Sequence, residues 1–201
     1  MRVHEKGGIV FPDPPDHSPH FVIFAVDPGV TTGWAALRVP ARRLGADTIG
    51  RVLSSSAWQH GQIQRSAPGV PDTPHVDEII EKSRDLYEGW VMENDAFLWV
   101  VESFSLRMMS MDTNLLAPVR VTAIIQDRLW GKGVPIFMQS PSDAKSVCTD
   151  QRLKSWEMYE SSSGAHARDA DRHAILMVRR LAQKQRLRES LLSYSSSEEE
   201  E

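Results

Sequence analysis

At 201 residues and 41% hydrophobic content, the chain has the length of one domain and enough apolar material for a core. No run approaches the roughly 18 apolar residues of a membrane span, and the first residues lack a signal-peptide h-region. The single cysteine, Cys148, excludes an intrachain disulfide and a thiolate zinc site, and points to a reducing cytoplasm. The formal net charge of −4 is matched by Glu198 to Glu201 alone, so the remaining body is neutral and any basic surface must come from local clustering.

Residues 1–20 hold four prolines between positions 12 and 19 and no apolar periodicity, which predicts a disordered leader. Its His4, His17 and His20 are expected to be solvated. Phe21 to Val26 is an uninterrupted apolar run, the pattern of a central strand covered on both faces. It ends in Asp27. Pro28-Gly29 then turns the chain, and Gly33 to Val39 is the expected return strand. A variable loop is expected over 40–56, a third strand over Ala57 to Gln64, and a linker over Ser66 to Pro74.

Val76 to Met92 has apolar residues at 76, 79, 80, 86, 87, 90 and 91, which is helical spacing. Phe97 to Val101 is a second buried-strand run, and it too ends in an acid, Glu102. Ser103 to Thr113 is aperiodic and predicts a loop. A helix is expected over Pro118 to Trp130, a short strand over Val134 to Met138, and a helix from Pro141 behind the N-cap Ser140. Further helices are expected over Asp150 to Tyr159 and from Ala165 to about Arg188, followed by a polar acidic tail over 189–201. Strands followed by alternating helices and strands predict an α/β domain over 21–188 with a mixed sheet.

Two central-type strands that each end in an acid place a condition on the fold. If Asp27 and Glu102 lie side by side, their carboxylates repel and call for a cation or a shared proton. Oxygen ligands without cysteine favour Mg²⁺ or Mn²⁺ over zinc. Taken singly, either acid is equally well a turn cap or a salt-bridge partner. On the last helix, at about 100° per residue, His166 and Asp169 fall within about 60° of each other, and His173 lies behind His166 two turns along. Asp171 falls about 200° from Asp169, beside Arg168, so the two acids cannot serve one site. His166 and Asp169 are the better ligand pair.

VDPGVTTGW, VVESF, SPSDAKSVCTDQRLKSW and GAHARDADRHAI occur in this order and cover most of 21–182. In this series the chain resembles the RuvC-like Holliday junction resolvases of the RNase H-like superfamily, and among them the versions encoded by bacteriophages of actinobacteria. That resemblance implies a five-stranded mixed sheet with helices on both faces, and a crossover junction endodeoxyribonuclease acting in the host cytoplasm. It implies two Mg²⁺ or Mn²⁺ ions per active site, held by Asp27, Glu102, His166 and Asp169. His166 departs from the all-carboxylate pattern and removes one anionic ligand.

The resemblance further implies branched DNA as substrate, 3′-hydroxyl and 5′-phosphate ends, and a homodimer matched to a two-fold junction. Lys145 and Lys154 match basic positions of the family motif and are candidate DNA contacts. Phe104 and Arg107, in the loop after Glu102, are the other two. Phe104 is a candidate wedge between bases, although core packing or a dimer contact would suit the same loop. Three other readings remain open: a nuclease for flaps or forks, a non-catalytic DNA-binding module, and an actin-like ATPase or sugar kinase. The last needs a second lobe and a second nucleotide motif that the chain lacks.

Overall fold

The computed structural model describes residues 18–65, 70–104 and 116–197. Five strands, β1 (His20–Asp27), β2 (Thr31–Pro40), β3 (Ala57–Gln64), β4 (Ala96–Glu102) and β5 (Ile136–Gln139), form one sheet in the order β3-β2-β1-β4-β5. β1 to β3 are antiparallel neighbours, whereas β4 runs parallel to β1 and β5 parallel to β4. Around them lie α1 (Ile49–Ser54), α2 (Asp72–Trp90), α3 (Ala117–Leu129), α4 (Pro141–Val147), α5 (Asp150–Ser155), α6 (Ala165–Gln183) and α7 (Gln185–Ser197).

The apolar run of β1 is explained by its position. Alternate side chains face opposite ways, and both faces are covered. Phe21, Ile23 and Ala25 join Leu98 and Val100 under α6, α7 and α1. Phe24 and Val26 join Trp34 and Trp99 under α2 and α3. Phe24 meets Trp99 edge-on at 4.7 Å between ring centroids. All six residues from Phe21 to Val26 are fully buried. Among the described residues no helix is long and apolar enough to cross a membrane.

Several boundaries differ from the sequence expectation. The stretch 40–56 is not a plain loop: it holds a 3₁₀ turn and α1, which buries Val52 and Leu53. α2 starts at Asp72, inside the expected linker, where Arg65 Nη1 at 2.8 Å and Arg120 Nε at 2.5 Å hold the Asp72 carboxylate. The stretch 189–201, expected as a polar acidic tail, is helical as far as Ser197, because Leu187, Leu191 and Leu192 recur at helical spacing and pack on the core. The long last helix breaks at Lys184, and Arg188 Nη1 donates to the carbonyls of Leu181 and Ala182 at the end of α6. The leader lies outside the described residues apart from Ser18 to His20, and His20 already belongs to β1.

At the end of the sheet where β1 and β4 begin, Asp95 ties three strands together. Its carboxylate accepts from the His20 backbone N–H at 2.7 Å, Arg38 Nη2 at 2.9 Å and the Met92 backbone N–H at 3.1 Å. Burial raises its pKa, but the hydrogen bonds from His20, Arg38 and Met92 outweigh this and hold it below the usual aspartate value. A depressed folded-state pKa contributes stability above the unfolded value, near 3.9, and loses it as pH falls through the folded one. Asp95→Asn should therefore cost about 2–3 kcal/mol at pH 7. In urea unfolding, the gap to the wild type should close below about pH 4.

Candidate active site

Asp27 and Glu102 reach the same side of the sheet by counting. Asp27 continues the series Phe21, Ile23, Ala25, and Glu102 continues Ala96, Leu98, Val100; both series face α6. The parallel register pairs Val26 with Val101, one residue before each acid. Neighbouring strands lie about 4.8 Å apart, so the two acids end adjacent strands on one face.

α6 delivers the other groups. His166 Nδ1–H donates to Asp27 Oδ2 at 2.7 Å, and His173 Nε2–H, two turns along, donates to Glu102 Oε2 at 2.7 Å. His173 is buried, and its Nδ1 meets Gln139 Oε1 at 3.0 Å. Asp169 lies between the two histidines on the helix. Arg172 Nη1 binds its Oδ1, and Lys145 Nζ stands 3.3 Å from its Oδ2.

The approach of α6 to β2 depends on Gly33, the residue opposite Asp27 in the β1/β2 register. A Cβ at Gly33 would stand 1.9 Å from the His166 carbonyl oxygen. The turn between Asp27 and Gly33 is fixed from the other side. Thr32 Oγ1 accepts from the Gly29 N–H at 3.3 Å and hydrogen-bonds His75 Nε2 of α2 at 2.8 Å. Gly164 begins α6 with φ +83°, and Gln62 Nε2 donates to the neighbouring Ser163 carbonyl at 2.8 Å.

The carboxylates feel one another. Burial raises the Asp27 pKa, the His166 hydrogen bond opposes this, and the charges of Glu102 and Asp169 push it further up; the net shift is upward. His166 is raised by its bond to Asp27 and by the charges of Asp27, Asp169 and Glu102, against an opposing effect of burial. Three carboxylates in one field, beside an imidazole, form a donor set suited to a hard divalent cation. Among the described residues, Asp27 Oδ1 and Glu102 Oε1 make no protein hydrogen bond, whereas both Asp169 oxygens are engaged by Arg172 and Lys145. No three His, Cys, Asp or Glu side chains among the described residues already close to metal-binding distance. The donor chemistry fits such an ion, with Asp169 shared between it and the two cations.

Asp171 is removed from this set. Its side chain is completely buried, accepting from Trp58 Nε1 at 2.8 Å and His60 Nδ1 at 2.7 Å, while His60 Nε2 reaches Glu160 Oε2 at 3.2 Å. The exposed contact with Arg168 expected from helical spacing is replaced by a clamp between α6 and β3. Cys148 is buried, which pushes its thiol up to about 12 and leaves it inert.

Comparison with solved structures gives the architecture its place. The fold is RNase H-like. RuvC of Thermus thermophilus, solved in complex with a Holliday junction substrate, matches with a TM-score of 0.53 over 78% of this chain and 92% of its own, at 14% identity. The yeast mitochondrial Holliday junction resolvase Ydc2 matches with a TM-score of 0.50 over 90% of this chain and 87% of its own, at 11% identity. No family model and no curated protein sequence matches the chain. The five-stranded mixed sheet with helices on both faces is the one expected from the resemblance.

The candidate DNA contacts are placed unequally. Lys145 lies beside Asp169, and Lys154 is exposed on α5 with Nζ 4.7 Å from the Tyr159 ring centroid. Phe104 is 39% exposed, two residues beyond Glu102. Arg107 lies outside the described residues. His173, Gln139 and Arg172 were not assigned roles at the site from sequence. The position of His173 two turns behind His166 was a usable signal, because Glu102 is offset from Asp27 by one strand. Nothing in the sequence marked Arg172 as the partner of Asp169.

Gly33→Ala forces backbone against backbone, so it should destabilise by about 1–3 kcal/mol, towards the upper end, in urea unfolding.

Proposed function

We propose that the chain is a metal-dependent endonuclease that nicks branched DNA, resolving four-way junctions by paired symmetric phosphodiester hydrolysis to 3′-hydroxyl and 5′-phosphate ends. The observation that supports this most is the meeting of Asp27 and Glu102, at the ends of adjacent parallel strands, with His166 and Asp169 of α6. It occurs within a fold shared with a RuvC solved on a Holliday junction substrate.

In this reading Asp27, Glu102, Asp169 and His166 hold two Mg²⁺ or Mn²⁺ ions. The chemistry such a pair supplies when bound is a nucleophile from water and charge stabilisation on the scissile phosphate and leaving oxygen. Asp27 sets the position of the site, because it is buried at the end of the central strand. It also orients His166 through Nδ1, which leaves Nε2 as the atom able either to ligate an ion or to take up and release a proton. His173 fixes the Glu102 carboxylate, and Arg172 fixes that of Asp169. Lys145 and Lys154 take phosphates, Phe104 enters between bases, and Arg107 is a further contact to the DNA. A homodimer would present two such sites to a two-fold junction. In this reading the enzyme acts in a host cytoplasm, as a resemblance to bacteriophage enzymes implies.

A strand-mapped nicking assay on a fixed four-way junction, with and without Mg²⁺ or Mn²⁺, tests this reading. Paired symmetric nicks that require the metal are expected, together with weaker cutting of flaps and forks. Equal cutting of all three substrates would favour a general branched-DNA nuclease, and metal-independent cutting would contradict the site assignment. Asp27→Asn should abolish nicking while sparing junction binding in gel shift. Lys154→Ala should weaken binding and lower the slope of log K against log salt by about one.

A further inference from the structure

Beside Asp169, a cleft of about 400 Å³ opens between α4, the start of α5 and α6. Its charged walls are Lys145, Arg168 and Arg172, together with Asp150 and Asp169. Arg172 spans both acids and also donates from Nε to the Cys148 carbonyl at 3.0 Å, so its donors are committed to the protein. Lys145 is held on Asp169. Arg168 differs. Among the described residues it meets no carboxylate. Its guanidinium lies 5.4 Å from the Tyr159 ring centroid, and its Nη1 makes one long contact, 3.4 Å, to the Glu160 carbonyl.

A guanidinium resting on an aromatic ring is pre-oriented, and its unused N–H groups form a fork that matches phosphate oxygens. Lys154 Nζ lies on the same Tyr159 ring, so two cations, one of them the cleft-lining Arg168, converge on one aromatic. The cleft walls carry three positive and two negative charges. An excess of one matches the single charge of a phosphodiester, and falls short of the charge of about −1.5 to −2 on a phosphomonoester at neutral pH.

We propose that this cleft is a phosphate subsite in which Arg168, held on Tyr159, binds a non-scissile phosphodiester of the DNA strand being cut. Lys154 continues the track along the same strand, and Arg168 is thereby a positioning residue that sets where the backbone lies relative to Asp27. The proposal rests on the nuclease reading for the identity of its ligand, but requires neither metal nor turnover to be observed.

The test is fluorescence anisotropy of the full chain on a fixed four-way junction in EDTA, over a range of salt, for wild type, Arg168→Gln and Arg168→Lys. Arg168→Gln should bind about five- to tenfold more weakly, with the salt slope reduced by about one, while Arg168→Lys keeps the slope. A second arm scans single neutral methylphosphonates along the strand. One flanking position should weaken wild-type binding and leave Arg168→Gln indifferent. Unchanged affinity and slope in Arg168→Gln, or a weakened affinity with an unchanged slope, would overturn the subsite. Should Arg168→Gln fail to fold by circular dichroism, the absence of any sensitive flanking position in the wild-type scan would overturn it instead. A wild type that binds no branched DNA would overturn the nuclease reading itself, a result distinct from either.

Discussion

Like charges brought together at the end of a sheet are the constraint on which the structure turns. Asp27 is raised by burial and by its acidic neighbours, and His166 is raised by all three carboxylates. Such a group is stable only if each acid has a partner, and each has one. His166 serves Asp27, His173 serves Glu102, and Arg172 with Lys145 serves Asp169. These partners come from two elements, α6 and α4, so the position of α6 against the sheet decides whether the site exists.

That position is set by steric and polar means rather than by the apolar core alone. Gly33 admits the α6 backbone next to Asp27, Gly164 starts the helix in a conformation few other residues adopt, and Gln62 holds the preceding turn. Deeper in, Asp171 is bonded to Trp58 and His60, which fastens the same helix to the edge strand β3. Below that, Ala170, Ala174, Met177 and Leu181 sink into the core beneath β1. The small residues allow close approach, and the buried acid fixes rotation. An apolar residue at 171 would pack but would leave Trp58 and His60 without their acceptor.

Much of this is legible in the sequence. The two uninterrupted apolar runs, each stopping at an acid, give both buried central strands, and strand alternation then puts Asp27 and Glu102 on one face. Helical geometry separates Asp169 from Asp171, although it assigns Asp171 the wrong partner, because angle alone does not say which neighbour a face meets. What remained hidden depends on long-range pairing. Asp72 begins α2 because Arg65 and Arg120 converge on it, and α7 persists to Ser197 because leucines scattered among serines find the core. Local composition gave both stretches the look of linker and tail. The engagement of Arg172 with Asp150 and Asp169 joins α5 to α6 and has no signature in either of them.

The most direct measurement of the central claim is an anomalous difference map from crystals of the full chain equilibrated with Mn²⁺. The account predicts peaks within about 2.0–2.6 Å of carboxylate oxygens of Asp27, Glu102 and Asp169, with His166 alongside. Saturating Mn²⁺ that gave no peak at the ends of β1 and β4, or peaks only at other acids, would contradict it.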